Sequence, residues 1–275
     1  MRGYRTLILS TCSSLKQFPI DTDCKLDDYM GAQYNQVLND WLTTVQSPTK
    51  KKHPAEDLYI GSNWKEVLCC VETAKHVGFI PELWVISAGW GLIPANFKIT
   101  PYAASFSEGE SSIHNLKWPR EFNTKQRSRC WWQTINQKRN LNLPSSIPEL
   151  YSSLPDKNNL RVLIILSKEY YLPLELEILE LISLGAEVVI ISSGMYSELE
   201  IVHPAIKDHV LPINTKFRNV NESLKKNFHV FNTSMATWLI ENYHDELKKG
   251  RAELYKALDK KRTQLNELEF NFSNE

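Results

Sequence analysis

The chain has 275 residues, 42% of them hydrophobic and 11% aromatic, which is enough apolar surface to bury a large core. Its 32 basic and 32 acidic side chains give a formal net charge of zero, so no overall field attracts a polyanion. The longest apolar runs are far shorter than a bilayer span, and the start of the chain has the pattern of a strand instead of a secretory signal. Five cysteines, an odd number without metal-ligand spacing, predict reduced thiols and no bound metal. We therefore expect a globular cytoplasmic protein that contacts no membrane.

Strands and helices are predicted to alternate along the chain. The predicted strands lie at residues 5–10, 83–87, 161–167 and 187–192, and the predicted helices at residues 28–45, 57–77 and 174–184. The strands are unbroken β-branched runs, which is typical of strands covered on both faces. The sequence thus predicts a three-layer α/β fold with a mainly parallel central sheet flanked by helices.

The end of the chain is rich in charge and in helix formers, and Gly250 interrupts it. Leu247, Leu254, Leu258 and Leu265 are spaced to form one helical stripe. We predict an α/β domain over residues 1–240 and a C-terminal helical extension over residues 241–275, which folds on the body or pairs with another copy. The sequence does not fix the oligomeric state.

Polar residues follow each predicted strand. In parallel sheets the carboxyl ends of the strands meet at one edge, and ligands bind beyond that edge. This rule brings together residues 10–14 with the acids Asp21 and Asp23, residues 87–91, residues 167–171 and residues 192–194. The sequence predicts a binding site there.

The stretch at residues 84–106 is the most informative part of this edge. Gly89 lets the backbone approach a ligand closely, Trp90 and Tyr102 can stack on a planar group, and Ser87 and Ser105 can hydrogen-bond to it. The alternative is a turn whose aromatic side chains only cap the core.

Asn232 precedes the apolar run at residues 235–240, where Asn is a common helix N-cap. The other use of an Asn at this place is to bind a base edge through its amide.

The segment at residues 116–139 has seven basic side chains against the single acid Glu121. The basic residues are Lys117, Arg120, Lys125, Arg127, Arg129, Lys138 and Arg139, and the interleaved aromatic residues are Trp118, Phe122, Trp131 and Trp132. This mixture suits phosphate contacts combined with base stacking, so nucleic acid is the predicted partner. The alternative is a solvated helix face whose tryptophans point inward.

Several familiar catalytic motifs are missing from the chain. It has no Walker A loop, no dinucleotide-binding glycine pattern, no zinc-protease helix motif and no nucleophile elbow. The ligand pattern of the zinc deaminases is also missing, which argues against base deamination.

Three blocks carry a resemblance: LILSTCSSLK at residues 7–16, PAEDLYIGSNWKE at 54–66 and WVISAGWGLIPANFKITPY at 84–102. In order and spacing they resemble an uncharacterised bacterial and phage family with the pattern CSKxK, PAxDLYxG and SAKYGL followed by PYD, and the match covers about residues 5 to 135. That family is similar to a distant branch of the uracil-DNA-glycosylase-like superfamily. Two positions depart from the pattern: Gly89 and Trp90 replace a Lys/His-Tyr pair, and Ala103 replaces the Asp after Pro-Tyr.

The resemblance implies a uracil-DNA-glycosylase-like fold and a monofunctional DNA N-glycosylase without a cofactor. Such an enzyme flips out and excises a bulky modified pyrimidine, glucosylated hydroxymethylcytosine being the nearest analogue, in defence against phage. The expected roles are catalysis by Asp21, Asp23 and Asn232, base binding by Ser13, Ser87, Trp90, Tyr102 and Ser105, and DNA binding by Lys16, Lys117, Arg127, Arg129 and Trp132.

Three alternatives stay open at this point. Asp21 and Asp23 also suit a simple turn, because Asp favours turns. A transferase that exchanges a base at the same sugar carbon would use the same pocket. A non-catalytic protein that binds modified nucleic acid would use the aromatic side chains alone.

Overall fold

The computed structural model describes residues 3–213, Leu224 and residues 230–272. Its centre is a five-stranded sheet with the order β4-β3-β1-β6-β7, beside a small two-stranded pair, β2 and β5. The strands are β1 (Tyr4–Thr11), β2 (His53–Pro54), β3 (Phe79–Ser87), β4 (Gly91–Pro94), β5 (Lys98–Ile99), β6 (Leu160–Ile165) and β7 (Glu187–Ile191). Strands β3, β1, β6 and β7 are parallel, and β4 is antiparallel to β3.

Helices cover both faces of this sheet. They are α1 (Tyr34–Gln46), α2 (Ala55–Leu58), α3 (Ser62–His76), α4 (Thr124–Lys138), α5 (Ile147–Ser153), α6 (Lys168–Ser183), α7 (Ser193–Ser197), α8 (Pro204–Lys207), α9 (Phe231–Lys249) and α10 (Arg251–Phe272). On β1, Leu7 and Leu9 pack into the core shared with α1, α4 and α6, whereas Ile8 packs into the core shared with α3 and α9. All three side chains are fully buried, as the alternating pleat of a strand between two helical layers requires. The predicted α/β fold with a mainly parallel, doubly covered sheet is confirmed.

The four predicted strands lie close to β1, β3, β6 and β7, whereas β2, β4 and β5 were not predicted. Two predicted helices are divided. The helix expected over residues 28–45 is a 3₁₀ turn, Leu26–Tyr29, followed by α1. The helix expected over residues 57–77 is broken between α2 and α3 by Gly61, whose φ of 103° is outside the helical range.

The C-terminal helices belong to the same body as the sheet. Helix α9 continues through residue 240, the predicted domain boundary, and its backbone departs from helical geometry at Tyr243. Gly250 separates α9 from α10, and Leu247, Leu254 and Leu258 are buried in the core that α9 forms with the sheet. The side chain of Leu265 lies outside the described residues. None of the helices in the described ranges combines the length and the apolarity needed to span a membrane.

Both outer edges of the five-stranded sheet are hydrogen-bonded within the chain. On β4, the Leu92 amide donates to the Asn136 side chain at 2.8 Å, and the Arg139 guanidinium donates to the Leu92 carbonyl. On β7, the Ile190 amide donates to the His209 carbonyl at 2.8 Å, and the Leu211 amide donates to the Ile190 carbonyl at 2.8 Å. Val210 thus forms an isolated parallel β-bridge with Ile190 of β7.

The connection from β1 to β3 places α1 on the face of α4 and α6, whereas α3, the last helix before β3, packs against α9 on the other face. The connection from β6 to β7 runs through α6, which packs against α4, so the helices that lead into β3 and β7 lie on opposite faces of the sheet. Strands β1 and β6 are neighbours, so their carboxyl ends form a topological switch point, the usual place for a ligand in such sheets.

Candidate functional site

A group of aromatic and hydroxyl side chains surrounds one amine where β1, β3 and β6 end. Cys12 follows β1, Ser87 ends β3, and Tyr170 lies in the first turn of α6, just after β6. Tyr59 directly follows α2, and Tyr102 lies three residues after β5. We call the whole group the cradle, and its members are Cys12, Lys16, Tyr59, Ser87, Tyr102 and Tyr170.

The hydroxyl groups of the cradle form a short hydrogen-bonded chain. The Tyr102 hydroxyl lies 2.6 Å from Ser87 Oγ and 3.0 Å from the Tyr59 hydroxyl, while Cys12 Sγ lies 3.5 Å from the Tyr170 hydroxyl. Burial, followed by the neighbouring Cys12, raises the pKa of each of the three tyrosines well above its usual value. The phenols therefore stay neutral, and they act as hydrogen-bond donors across the physiological range.

The Lys16 amine lies against the rings of Tyr59 and Tyr102, two of the hydrogen-bonded tyrosines. Its Nζ lies 4.9 Å from the Tyr59 ring centroid and 4.8 Å from the Tyr102 ring centroid. The same Nζ donates to the backbone carbonyl of Ser13 and, at 3.2 Å, to that of Ser14. Burial lowers the pKa of Lys16, and the adjacent Cys12 only partly opposes that shift.

The loop after β1 keeps Lys16 in this place through backbone pairing. Lys16 forms a β-bridge with Tyr59, the Gln17 amide donates to the Leu58 carbonyl at 2.9 Å, and Ser13 Oγ donates to the Ile60 carbonyl at 2.6 Å. The second block of the resemblance is thus hydrogen-bonded to the first.

Two tryptophans fix the turn that follows β3. Trp131 Nε1 donates to the Ala88 carbonyl at 2.7 Å, and Trp41 Nε1 donates to the Gly89 carbonyl at 2.9 Å. A Cβ at Gly89 would lie 2.2 Å from the Tyr102 ring. Gly89 is therefore the residue that lets Tyr102 pack flat on the turn.

Among the described residues, no carboxylate contacts the cradle. Its hydrogen bonds and ring contacts in the described part of the chain involve no carboxylate, and the main influences on its pKa values are burial, Cys12 and the other cradle residues. Ala103, where the resembling family has Asp, follows Tyr102 directly and supplies no charge.

The predicted acids lie on an exposed turn. The side chains of Asp21 and Asp23 are 59% and 52% exposed, and Lys50 Nζ donates to them at 2.9 and 2.7 Å. The hydrogen bond from Lys50 is the main reason why the pKa of Asp23 is lowered. Neither carboxylate contacts the cradle in the described hydrogen bonds, so this position does not fit the predicted catalytic role.

The same turn has a group of atoms with the spacing of metal ligands. Oxygens of Asp21 and Asp23 and the sulfur of Cys24 lie within 4.8 Å of one another. The Lys50 ammonium bridges the two carboxylates, and burial raises the pKa of the Cys24 thiol to about 12. This arrangement stabilises the carboxylates by an internal cation and disfavours a metal ion.

Asn232 lies inside α9 near the predicted sheet edge, with its amide fully engaged. Its Oδ1 accepts from the Ser193 amide at 2.9 Å, and its Nδ2 donates to the Leu166 carbonyl at 3.1 Å. The N-cap of α9 is Val230, so Asn232 is not the N-cap either. Asn232 thus joins the start of α9 to the segments that follow β6 and β7.

The predicted base-binding residues are divided between the cradle and the core. Ser87 and Tyr102 are cradle residues, Ser13 hydrogen-bonds within the loop that carries Lys16, and Ser105 lies beside Tyr170. Trp90 is only 2% exposed and packs edge-on against Phe97, with ring centroids 6.4 Å apart. Trp90 therefore caps the core, which was the alternative to stacking on a ligand.

Residues 124–138 of the basic segment form α4, and its two tryptophans, Trp131 and Trp132, point inward. Trp132 is fully buried, and its Nε1 donates to Glu177 at 2.6 Å, so it has no exposed face for a base. Arg129 and Lys125 pair with the buried Glu175 at 3.1 and 2.5 Å. The inward-facing alternative is therefore correct for Trp132, and Arg129 is engaged by an internal acid.

Arg127 and Lys117, which were also predicted to bind DNA, differ in exposure. Arg127 Nε donates to the Phe122 carbonyl at 2.9 Å and is half-buried, whereas Lys117 is exposed. Lys117 therefore retains a side chain that can reach a phosphate.

Sequence reasoning missed three members of the cradle as site residues: Cys12, Tyr59 and Tyr170. Cys12 and Tyr59 lie within the first and second blocks of the resemblance, and Tyr170 lies within residues 167–171, which were predicted to meet at this edge. The signal was therefore present, but nothing in the sequence showed which side chains point inward. No protein-family model, curated protein or solved structure matches this chain.

Proposed function

We propose that this protein is a DNA N-glycosylase of the uracil-DNA-glycosylase-like superfamily that holds an extruded, modified pyrimidine at the cradle. One observation carries the proposal. The three separated blocks of the resemblance contribute Cys12 and Lys16, Tyr59, and Ser87 with Tyr102, and these side chains meet at the switch point of the sheet.

The side chains of the cradle suit a planar heterocycle. Tyr102 is fully buried and Tyr59 is 2% exposed, so a base would meet the cradle at the half-buried Cys12 and Lys16 instead of stacking on these rings. Neutral phenols are hydrogen-bond donors suited to the oxygen and nitrogen atoms that gain negative charge as the base departs. The raised pKa values of Tyr59, Tyr102 and Tyr170 keep those donors protonated.

Exposed apolar side chains stand beside the cradle. Leu15 is 59% exposed and Ile60 is 37% exposed, and the Ile60 amide donates to the Leu15 carbonyl at 3.2 Å. Apolar residues of this kind enter the space that an extruded nucleotide leaves in a duplex. They would supply the apolar contact with DNA that the buried Trp132 cannot make.

A second candidate function is the binding of modified nucleic acid without catalysis. The observation that favours it is the lack of a carboxylate in the cradle, since glycosidic hydrolysis ordinarily uses one to stabilise the positive sugar. The two functions share a ligand and differ in whether the base is released.

The experiment compares three duplexes of one sequence that carry cytosine, hydroxymethylcytosine or glucosylated hydroxymethylcytosine. Free base is measured by mass spectrometry, and abasic sites are measured by strand cleavage in hot alkali. We expect base release from a modified duplex and not from the cytosine duplex. Retained binding with no base release from any duplex would instead support the non-catalytic function.

Two variants test whether base release depends on a tyrosine hydroxyl of the cradle or on any hydrogen-bonded tyrosine hydroxyl. Tyr102→Phe removes the hydroxyl that joins Ser87 and Tyr59, and we expect it to slow base release. Tyr255→Phe is the matched control, because Tyr255 lies on α10, outside the cradle, and its hydroxyl donates to the His209 carbonyl at 2.7 Å. Equal loss of base release in both variants would contradict the assignment of the cradle.

A further inference from the structure

A loop at residues 105–112 covers the cradle at Tyr170, and we call it the Phe106 loop. Phe106 is 2% exposed, and its ring packs edge-on against Tyr170 and Trp132, with ring centroids 5.3 and 6.4 Å away. The tip of the loop, residues 108–110, is exposed. Phe106 is the only large apolar side chain of the loop, so its ring is what fixes the loop to the core.

A few hydrogen bonds close the loop at its base and tip. The Ser105 amide donates to the Ser111 carbonyl at 2.9 Å, and the Ile113 amide donates to the Ser105 carbonyl at 3.0 Å. Asn115 Nδ2 donates to two carbonyls of the tip at 2.8 and 2.9 Å. A segment with one apolar anchor and an exposed tip opens at a lower free energy than the sheet does.

His114, in the 3₁₀ turn Ile113–Asn115, holds the backbone of Phe106 in place. Its Nε2 lies 3.1 Å from the Phe106 carbonyl oxygen, and because a carbonyl only accepts, this nitrogen carries the proton of the neutral ring. Ser128 Oγ lies 3.5 Å from the same nitrogen. The other nitrogen, Nδ1, is buried and has no hydrogen-bond partner within the described ranges. A neutral ring therefore fits this place, whereas a protonated ring has a buried N–H without an acceptor.

The surroundings of His114 also disfavour its positive charge. Burial lowers the pKa of His114, and the hydrogen bond with the Phe106 carbonyl opposes that shift. Arg127 of α4 lowers the pKa further, whereas Glu108 at the tip of the loop raises it. These two are the charged groups that act on the ring among the described residues. Opening of the loop would return a protonated ring to water and remove the cost of its burial.

We propose that the Phe106 loop is a lid over the cradle, that neutral His114 keeps the lid closed, and that protonation of His114 opens it. The proposal rests on the proposed function for what the lid admits. When Phe106 leaves Tyr170, the cradle is open on this side as well as at Cys12 and Lys16. The closed lid is most stable while His114 is neutral, and it loses stability as pH falls below the ordinary range of histidine titration.

Hydrogen–deuterium exchange of the full chain measures the opening without any DNA. The reporters are peptides that contain the Ser105 and Ile113 amides, and their rates are corrected for the pH dependence of exchange in unfolded peptides. The ring of the open loop titrates at about 6.5, and the ring of the closed loop titrates lower. We therefore expect the corrected exchange to rise about ten-fold from pH 7.5 to pH 5.5.

Two variants assign this rise to one side chain. His114→Gln keeps an N–H donor for the Phe106 carbonyl but does not titrate, so we expect equal corrected exchange at both pH values. His76→Gln alters an exposed histidine at the end of α3 and should keep the rise of the wild type. A wild type without the rise, or the same rise in His114→Gln, would overturn the proposal.

A measurement on the wild type decides the matter if His114→Gln does not fold. The ring C2 proton of His114, followed by NMR, gives the pKa of the closed state directly. A pKa below about 6.5 supports the proposal, because protonation then favours the open loop. A pKa at or above that value overturns it.

The base-release assay separates the lid from the function on which it rests. Opening in acid without base release from any duplex leaves the lid in place and contradicts the glycosylase function. Base release together with pH-independent exchange leaves the glycosylase function in place and overturns the lid.

Discussion

Tyr102 lies so close to Gly89 that a single added carbon at residue 89 would sit 2.2 Å from the ring. The ring rests directly on the backbone of the turn that follows β3, and its hydroxyl reaches Ser87 at the end of that strand. A glycine is thus part of the cradle through the space that it leaves open.

Gly89→Ala is expected to displace Tyr102 and to weaken the bonds of its hydroxyl with Ser87 and Tyr59. Overpacking of this kind costs about 1–3 kcal/mol of the free energy of unfolding. Denaturant titration measures that change, and the base-release assay should show a larger loss of activity. Gly194→Ala is the control, since its Cβ would lie 3.7 Å from the nearest side-chain carbon, at ordinary contact distance. Normal base release by Gly89→Ala would contradict the role of Tyr102.

Glu175→Gln is expected to destabilise the packing of α4 on α6. The Glu175 carboxylate accepts from Lys125, Arg129 and, at 2.8 Å, the Tyr171 hydroxyl, and its side chain is only 7% exposed. Burial opposes its ionisation, but the bonds from Lys125 and Tyr171 lower its pKa overall. The substitution weakens hydrogen bonds to a charged group but leaves the partly exposed Lys125 and Arg129 open to water, so we expect a loss of about 1–3 kcal/mol in the free energy of unfolding, measurable by urea titration. The exposed Glu180 on the same helix is the control position, and an equal effect there would refute the prediction.

Glu177 makes the stability of the fold depend on pH. Burial raises the pKa of Glu177 to about 7, although its oxygens accept from Trp132 Nε1 and from the Ile147 amide at 2.8 Å. The folded protein therefore binds this proton more tightly than the unfolded chain does. Its stabilising contribution is full below the unfolded pKa and is lost as pH rises through about 7.

This pH effect is measured as the difference between the wild type and Glu177→Gln in thermal unfolding from pH 4 to pH 9. Because the amide does not titrate, the wild type should lose about 3 kcal/mol relative to the variant as pH rises from 4 to 9. A difference that is constant across this range would disprove the shift.

Lys117 and Arg129 are expected to affect DNA binding differently. Lys117→Ala should lower the dependence of log affinity on log salt by about one contact, since an exposed lysine releases a counterion when it meets phosphate. Arg129→Ala should instead lower the free energy of unfolding, because Arg129 pairs with Glu175. Binding measured at several salt concentrations distinguishes the two, and an identical salt dependence for Lys117→Ala and wild type would exclude the contact.

The strands were predictable because their information is local. The β-branched run at Val188 to Ile191 and the one at Val162 to Ile165 mark strands buried on both faces, and both are strands in the structure. The break between α2 and α3 was harder to predict from the sequence, because it depends on the positive φ of Gly61 in a stretch with otherwise helical periodicity.

The positions of Arg129 and Trp132 differ from the sequence prediction for a different reason. Arg129 and Lys125 share the single carboxylate of Glu175, which is more than forty residues away in the chain, and Trp132 Nε1 donates to Glu177 of α6. Local counting of charges cannot reveal partners supplied by another helix. The cradle was partly foreseen, because the carboxyl ends of parallel strands must converge, but the direction of Lys16 depends on the bridge to Tyr59.

Both edge strands of the sheet already have hydrogen-bond partners within the chain. These are Asn136 and Arg139 beside β4, and the segment around Val210 beside β7. Edge strands with unpaired backbone N–H and C=O groups pair with strands of other molecules and so promote fibrous aggregates. Here the amide and carbonyl of Leu92 and of Ile190 are already engaged, so a foreign strand gains no backbone partner at these residues. Concentrated solutions should therefore resist polymerisation through the sheet.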